Sequence, residues 1–255
     1  MRGLVIALSL TLPRLAASTE LIALTDRGTL IAFPSDHPAS TRALDIVPCR
    51  GQLIGVDRRA SDNRLYGLTD LNEVVRLDPA EHTCTVVSAL TLPFGGGTRS
   101  GIDFNPQLDR LRCLSADRQN LRVQPTLGAA ALDGSLTYGP DDRHAGQRPE
   151  ITGAAYTHNT ANAPTTLLYE IDAATDALVI QEPANEGILK TVGPLGVDAG
   201  TATGFEIVTL ADGTEQPWLA LGNTLYRVDL TTGQATPVGP IGDRDIAVVS
   251  LTSAP

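Results

Sequence analysis

One unit recurs along the chain, and it limits the fold more than any other feature. Gly55-Val56-Asp57, Gly101-Ile102-Asp103, Gly153-Ala154-Ala155 and Gly204-Phe205-Glu206 stand at matching places, their glycines separated by 46, 52 and 51 positions. After each comes the same order of events: a short apolar strand, a turn, a second strand, a hairpin containing Asp or Gly, a third strand and a fourth. The second strands read at 65–69, 111–115, 167–171 and 218–221, and third strands at 74–78, 121–124 and 225–229. Four short strands in a unit of this length are the footprint of a propeller blade.

The two ends are complementary. The N-terminal segment carries three strands, at 21–25, 29–33 and 43–47, and lacks a first one. The C-terminal segment carries a single strand at 246–251 with nothing after it to pair with. Joined, they complete a fifth blade and remove the exposed sheet edges that invite aggregation. The sequence therefore predicts an all-β propeller of about five four-stranded blades, closed by the C-terminal strand pairing with the N-terminal strands. A pair of β-sandwiches also uses short strands and frequent turns, but it accounts for neither the even spacing nor the complementary ends. At 255 residues and 42% hydrophobic the chain can bury the core such a ring needs.

The first eighteen residues have another character. Arg2, an apolar run over 4–12, Pro13 and the small residues Ala16, Ala17 and Ser18 form the tripartite pattern of a secretory signal peptide. The run is too short to span a bilayer. The chain thus divides into a leader at 1–18 and one propeller domain at 19–255, with a secreted or periplasmic destination and no membrane insertion. The net charge of −10, or −12 once Arg2 and Arg14 leave with the leader, repels phosphate backbones and anionic headgroups. Nucleic acid is excluded as a partner on that ground. Three cysteines in an exported chain allow one disulfide and one free thiol. Cys49 and Cys84 fall at the outer edges of successive repeats, where they can meet, and Cys113 reads as a small buried hydrophobe.

Several blocks carry a family resemblance. Gly101-Ile102-Asp103-Phe104-Asn105-Pro106 is followed by Asp109-Arg110-Leu111-Arg112 and Gln119-Asn120-Leu121-Arg122, and then by Ala155-Tyr156-Thr157-His158-Asn159 and Val192-Gly193-Pro194-Leu195-Gly196-Val197-Asp198. In this order they resemble the uncharacterised exported bacterial family catalogued as domain of unknown function 4394, with His158 where that pattern has a second asparagine. The resemblance implies a propeller-like fold and export. It brings no activity, substrate or catalytic residue.

Innermost strands line a propeller's channel, so equivalent positions converge near the axis. Asp57, Asp103 and Glu206 share one such position, with Ala155 and Ala247 reading as its other occupants. Three carboxylates at one axis repel unless a cation or an arginine compensates them. Calcium suits an all-oxygen set of this kind, and Arg110, Arg112 and Arg122 are available as partners. The plainer reading has each acid bonded to the next blade's backbone or to an arginine, fixing blade geometry. Asn105-Pro106 ahead of Asp109 also suits a turn. Asn120 and Arg122 lie on a third strand, and His158 and Asn159 follow an inner strand towards the channel rim. The candidate ligand-binding set is Asp57, Asp103, Asn105, Arg112, Asn120, Arg122, His158, Asn159 and Glu206, with the three acids as candidate metal ligands.

No catalytic set stands out. The four histidines lack metal-ligand spacing, Gly95-Gly96-Gly97 lacks the lysine of a phosphate loop, and no Gly-x-Ser-x-Gly elbow occurs. The sequence reads as an exported module binding a small molecule, glycan or protein at its channel mouth. The rival reading is a hydrolase of a lactone, ester or glycan that uses the channel carboxylates, with or without a divalent cation.

Overall fold

The computed structural model describes residues 18–242 and 245–255. The expected leader, Ser18 apart, lies outside the described residues. Among those residues no helix is long and apolar enough to cross a membrane.

Five sheets surround one axis. Blade 1 joins the chain ends: β21 (Val248–Ser253) is innermost, followed by β1 (Glu20–Thr25), β2 (Leu30–Pro34) and β3 (Arg42–Leu44). Blade 2 runs outward through β4 (Leu53–Arg59), β5 (Arg64–Thr69), β6 (Glu73–Asp78) and β7 (Thr83–Ala89). Blade 3 contains β8 (Ser100–Asn105), β9 (Arg110–Ser115), β10 (Asn120–Val123) and β11 (Ala130–Leu132). Blade 4 contains β13 (Ile151–Tyr156), β14 (Leu168–Asp172), β15 (Ala177–Gln181) and β16 (Ile188–Pro194), and gains a short parallel outer strand, β12 (Thr137–Tyr138). Blade 5 contains β17 (Thr203–Thr209), β18 (Glu215–Leu221), β19 (Thr224–Val228) and β20 (Ala235–Pro240). Each inner strand touches the next in the cycle β21, β4, β8, β13, β17 and back to β21.

The predicted closure is present, in a different register. Ile22 lies opposite Thr252, and Thr25 opposite Val248. The C-terminal strand begins two residues later than its predicted start, and Thr252, not Ala247, takes the position held elsewhere by Asp57 and Asp103. The fifth unit lacks both markers of the repeat, with Ser250 in the glycine position and Thr252 in the acid position, so its register could not be read from them.

The repeat glycine has a steric cause. A Cβ on Gly101 would stand 2.5 Å from the Ala154 Cβ, and one on Gly204 would stand 2.8 Å from the Leu251 Cβ. At these two glycines the neighbouring inner strand leaves no room for a Cβ. Ser250 occupies the equivalent place in blade 1 and bonds across the same gap: its hydroxyl accepts from the Val56 N–H and donates to the Val56 carbonyl, each at 3.1 Å.

The core is divided among the blade junctions. Five apolar clusters fill them, for instance Tyr66, Leu68, Phe104, Leu111 and Leu121 between blades 2 and 3. At the next junction, Leu114, Ile151, Ala154 and Leu168 pack between blades 3 and 4. Each fully buried leucine contributes roughly 1.5–3 kcal/mol relative to exposure, so the joins between blades carry most of the stability. Cys113 is part of the junction between blades 2 and 3, and burial pushes its thiol up to about 12. Cys49 and Cys84 form a disulfide, with their Cα atoms 5.3 Å apart, tying the segment before β4 to the outer strand of blade 2.

Candidate functional site

Alternation along a strand sends every second side chain to one face. That alternation, repeated in register around the ring, delivers the residue two places after the repeat glycine to the axis. Asp57, Asp103 and Glu206 each present an oxygen there, and these atoms lie within 4.8 Å of one another. All three are buried, at 1, 2 and 0% exposure.

Part of this arrangement holds the ring together. The Phe104 N–H donates to Asp57 Oδ2 at 2.7 Å, and the Tyr156 N–H donates to Asp103, so each acid bonds the inner strand of the following blade. In blade 1 Thr252 does the same work, its Oγ1 accepting from the Arg58 N–H at 3.0 Å and donating to Asp57 Oδ1 at 2.8 Å. Both Asp57 oxygens thereby have partners, Oδ1 also accepting the Arg58 N–H at 2.7 Å, and three accepted bonds leave one of its lone-pair sites over. Among the described residues, buried Asp103 Oδ1, Glu206 Oε2 and Asn159 Oδ1 have no hydrogen-bond partner.

Burial raises all three acids. It pushes Asp57 up to about 6, against the opposing bonds from Phe104 and Thr252. Burial, then the Asp57 charge, pushes Glu206 up to about 8. Asp103 is driven well above the carboxylate range by burial and by the charges of Asp57 and Glu206. One guanidinium opposes this: the Arg58 charge favours the ionised form of each acid. Arg58 is fixed by bonds from Nε to Ser253 Oγ (2.8 Å), from Nη1 to Asn63 Oδ1 (2.9 Å) and from Nη2 to the Asn159 carbonyl (3.3 Å).

Asn159 closes the cluster on one side. It follows β13 in the connection to β14, its Nδ2 points to Glu206 Oε1 at 3.5 Å, and its N–H donates to Thr209 Oγ1 at 2.7 Å. His158, beside it, turns away: it is exposed, its N–H donates to Glu215 Oε1 at 2.8 Å, and its ring bonds Thr157 Oγ1 at 3.1 Å.

The other candidates gather elsewhere, between blades 3 and 4. Arg112, 3% exposed, donates through Nη1 to Asn120 Oδ1 and Asp133 Oδ2, each at 2.6 Å, and through Nη2 to Asn185 Oδ1 at 3.0 Å. Arg122 grips Asp133 with Nε at 2.6 Å and Nη2 at 2.9 Å. Asn105 Oδ1 accepts the Gln107 and Leu108 N–H groups at 2.9 Å, the turn its sequence context suggests. The nine candidates thus separate into an axial group (Asp57, Asp103, Asn159, Glu206), an inter-blade group (Asn105, Arg112, Asn120, Arg122) and an outlying His158. None of Arg110, Arg112 and Arg122 is among the groups that set the charge of the axial acids; Arg58 is.

Sequence reasoning passed over Arg58, although a signal existed. The residue after the axial position is Phe104, Tyr156, Ile207 or Ser253 in the other units, so a charged side chain there is an exception. Asp133 follows a three-residue strand and carried no comparable signal.

The sequence matches, over residues 29–252, a family described as a domain of unknown function (DUF4394). No curated protein matches it. Solved structures similar to it include a structural genomics protein of unknown function from Bacteroides thetaiotaomicron VPI-5482, with 14% identity, a TM-score of 0.49, and coverage of 81% of this chain and 52% of that one. An auxiliary nutrient binding protein from Bacteroides ovatus ATCC 8483 is similar at 12% identity and a TM-score of 0.48, covering 85% of this chain and 58% of the other. YCF48 from Cyanidioschyzon merolae follows at 11% identity and a TM-score of 0.44, covering 88% and 71%. The chain spans about half the length of the first of these.

Proposed function

We propose that this chain, which belongs to the DUF4394 family, is an exported, non-catalytic binding propeller whose axial carboxylates hold a divalent cation, calcium first among them. Two observations carry the reading: Asp103, Glu206 and Asp57 each bring a carboxylate oxygen within 4.8 Å of the other two, and Asp103 and Glu206 each keep one buried oxygen without a hydrogen-bond partner among the described residues. An unpaired buried acceptor costs about 1–3 kcal/mol, and more when charged. Three carboxylates and Arg58 sum to two negative charges if all are ionised, which a divalent ion neutralises. Calcium accepts carboxylate and amide oxygens in flexible geometry, and Asn159 Oδ1 supplies an amide oxygen with no other partner.

Hydrolysis through these acids is the weaker reading. A general acid must come within hydrogen-bond reach of its substrate, and at 0–2% exposure these groups meet no substrate of glycan or ester size. Export rests on the leader pattern at 1–18. Calorimetric titration of chelator-treated protein with calcium, magnesium and manganese tests the reading. One calcium per chain is expected, with a rise in melting temperature, and Asp103→Asn abolishes both. No heat and no shift at millimolar calcium would overturn it.

A further inference from the structure

We propose that the cleft between blades 3 and 4 is a second binding site, for a small organic carboxylate that carries an apolar group and a hydrogen-bond donor. Its cavity is about 420 Å³, within the range of small-molecule pockets. Arg110, Arg112 and Arg122 all line it, in a chain of net charge −10.

The charge balance at the cleft favours an anion. Arg112 and Arg122 share one carboxylate, Asp133, and so leave one positive charge over. Arg110 is exposed, and its Nη1 donates to the backbone carbonyls of Leu108 (3.2 Å) and Asp109 (3.1 Å). On the opposite wall Glu182 is engaged by Lys190 at 2.8 Å, which leaves Glu186 as the lining carboxylate that offsets part of the excess. Glu170, whose charge would oppose Arg112, is fully buried with both oxygens unpartnered, and burial drives its pKa well up. The guanidinium of Arg122 is pre-positioned by its two bonds to Asp133 and its side chain is 34% exposed, so little entropy is lost when it binds an oxyanion, whereas the buried Arg112 spends its N–H groups on Tyr156, Asn120, Asp133 and Asn185 and adds charge.

Two further features narrow the ligand. Gln181, 2% exposed, lines the cleft with its Oε1 unpartnered while its Nε2 is held by the Ala184 carbonyl. That oxygen calls for a donor on the ligand. At the rim Leu108 and Leu167 are 56% and 42% exposed, an apolar flank on either wall. Carboxylate, donor and apolar group together are the chemistry of an acylated apolar amino acid or of a peptide's C-terminal residue.

Titration of the full chain with N-acetyl-leucine, N-acetyl-leucinamide and inorganic phosphate tests the assignment. Saturable binding of N-acetyl-leucine is expected, with the amide and phosphate each weaker by about tenfold or more. Arg110→Ala should weaken N-acetyl-leucine binding by about tenfold with melting and calcium binding unchanged, because this side chain is exposed and bonds backbone carbonyls of its own turn. Arg122→Ala should weaken it too, with a lower melting temperature because it leaves the buried Asp133 with fewer partners, and if it fails to fold, Arg110→Ala decides alone. No saturable binding of N-acetyl-leucine, equal binding of the amide or of phosphate, or an Arg110→Ala variant that binds like the parent would overturn the proposal.

Discussion

At the residue scale, one position shows how a single register serves two ends. Asp57 bonds neighbouring strands through both oxygens, Thr252 replaces an acid in the same task, and Asp103 and Glu206 each keep an oxygen back. The protonation of these groups sets a pH dependence. Each has its folded pKa raised above the unfolded value, so between the ordinary carboxylate range and about 8 the folded state retains protons that the unfolded chain has released. Stability of the calcium-free protein should therefore fall as pH rises through that window, and Glu206→Gln should flatten the fall. Urea midpoints taken from pH 5 to pH 8.5 check this; a midpoint that climbs with pH would contradict it. Gly101→Ala should destabilise by about 1–3 kcal/mol, since its Cβ meets both the side chain and the backbone of Ala154. A thermal midpoint equal to the parent's would count against the close approach of inner strands.

Elements make the ring or break it. β21 is the inner strand of blade 1 and contacts both β4 and β17, so a chain ending before Asp245 loses one blade's core and two junctions. Such a truncation should fail to melt cooperatively. A sharp transition at the parental temperature would refute closure by the tail. The Cys49–Cys84 disulfide joins residues 35 positions apart. Replacing both cysteines by alanine should cost about 3–4 kcal/mol by loop entropy, read from denaturant melts. Much of this level was legible in the sequence, because glycine and alternation mark the first two strands of most blades. The register of β21 was not, since Ser250 and Thr252 replace both markers. β12 escaped notice because two residues show no period, and the outer strand β11 is three residues long, with one of its three positions half-buried and the others exposed.

At the scale of the whole molecule, every blade reaches the axial site. Asp57 comes from blade 2, Asp103 from blade 3, Asn159 from the connection leaving the inner strand of blade 4, Glu206 from blade 5, and Thr252 of blade 1 bonds Asp57. The sequence placed the acids together through their repeat position, yet it could not tell that the arginines between blades 3 and 4 form a separate cleft. That division depends on which face of β9 and β10 meets the neighbouring blade. A cation at the axis would brace all five blades at once and stabilise them by mass action, about 4 kcal/mol at a thousandfold excess over its Kd. The most direct measurement is anomalous scattering from crystals grown with calcium, recorded at a wavelength where calcium scatters anomalously. The account predicts one strong peak about 2.3–2.6 Å from oxygens of Asp57, Asp103 and Glu206. An axis without such a peak, or with a water molecule bonded to Asp103 Oδ1 and Glu206 Oε2, would contradict it.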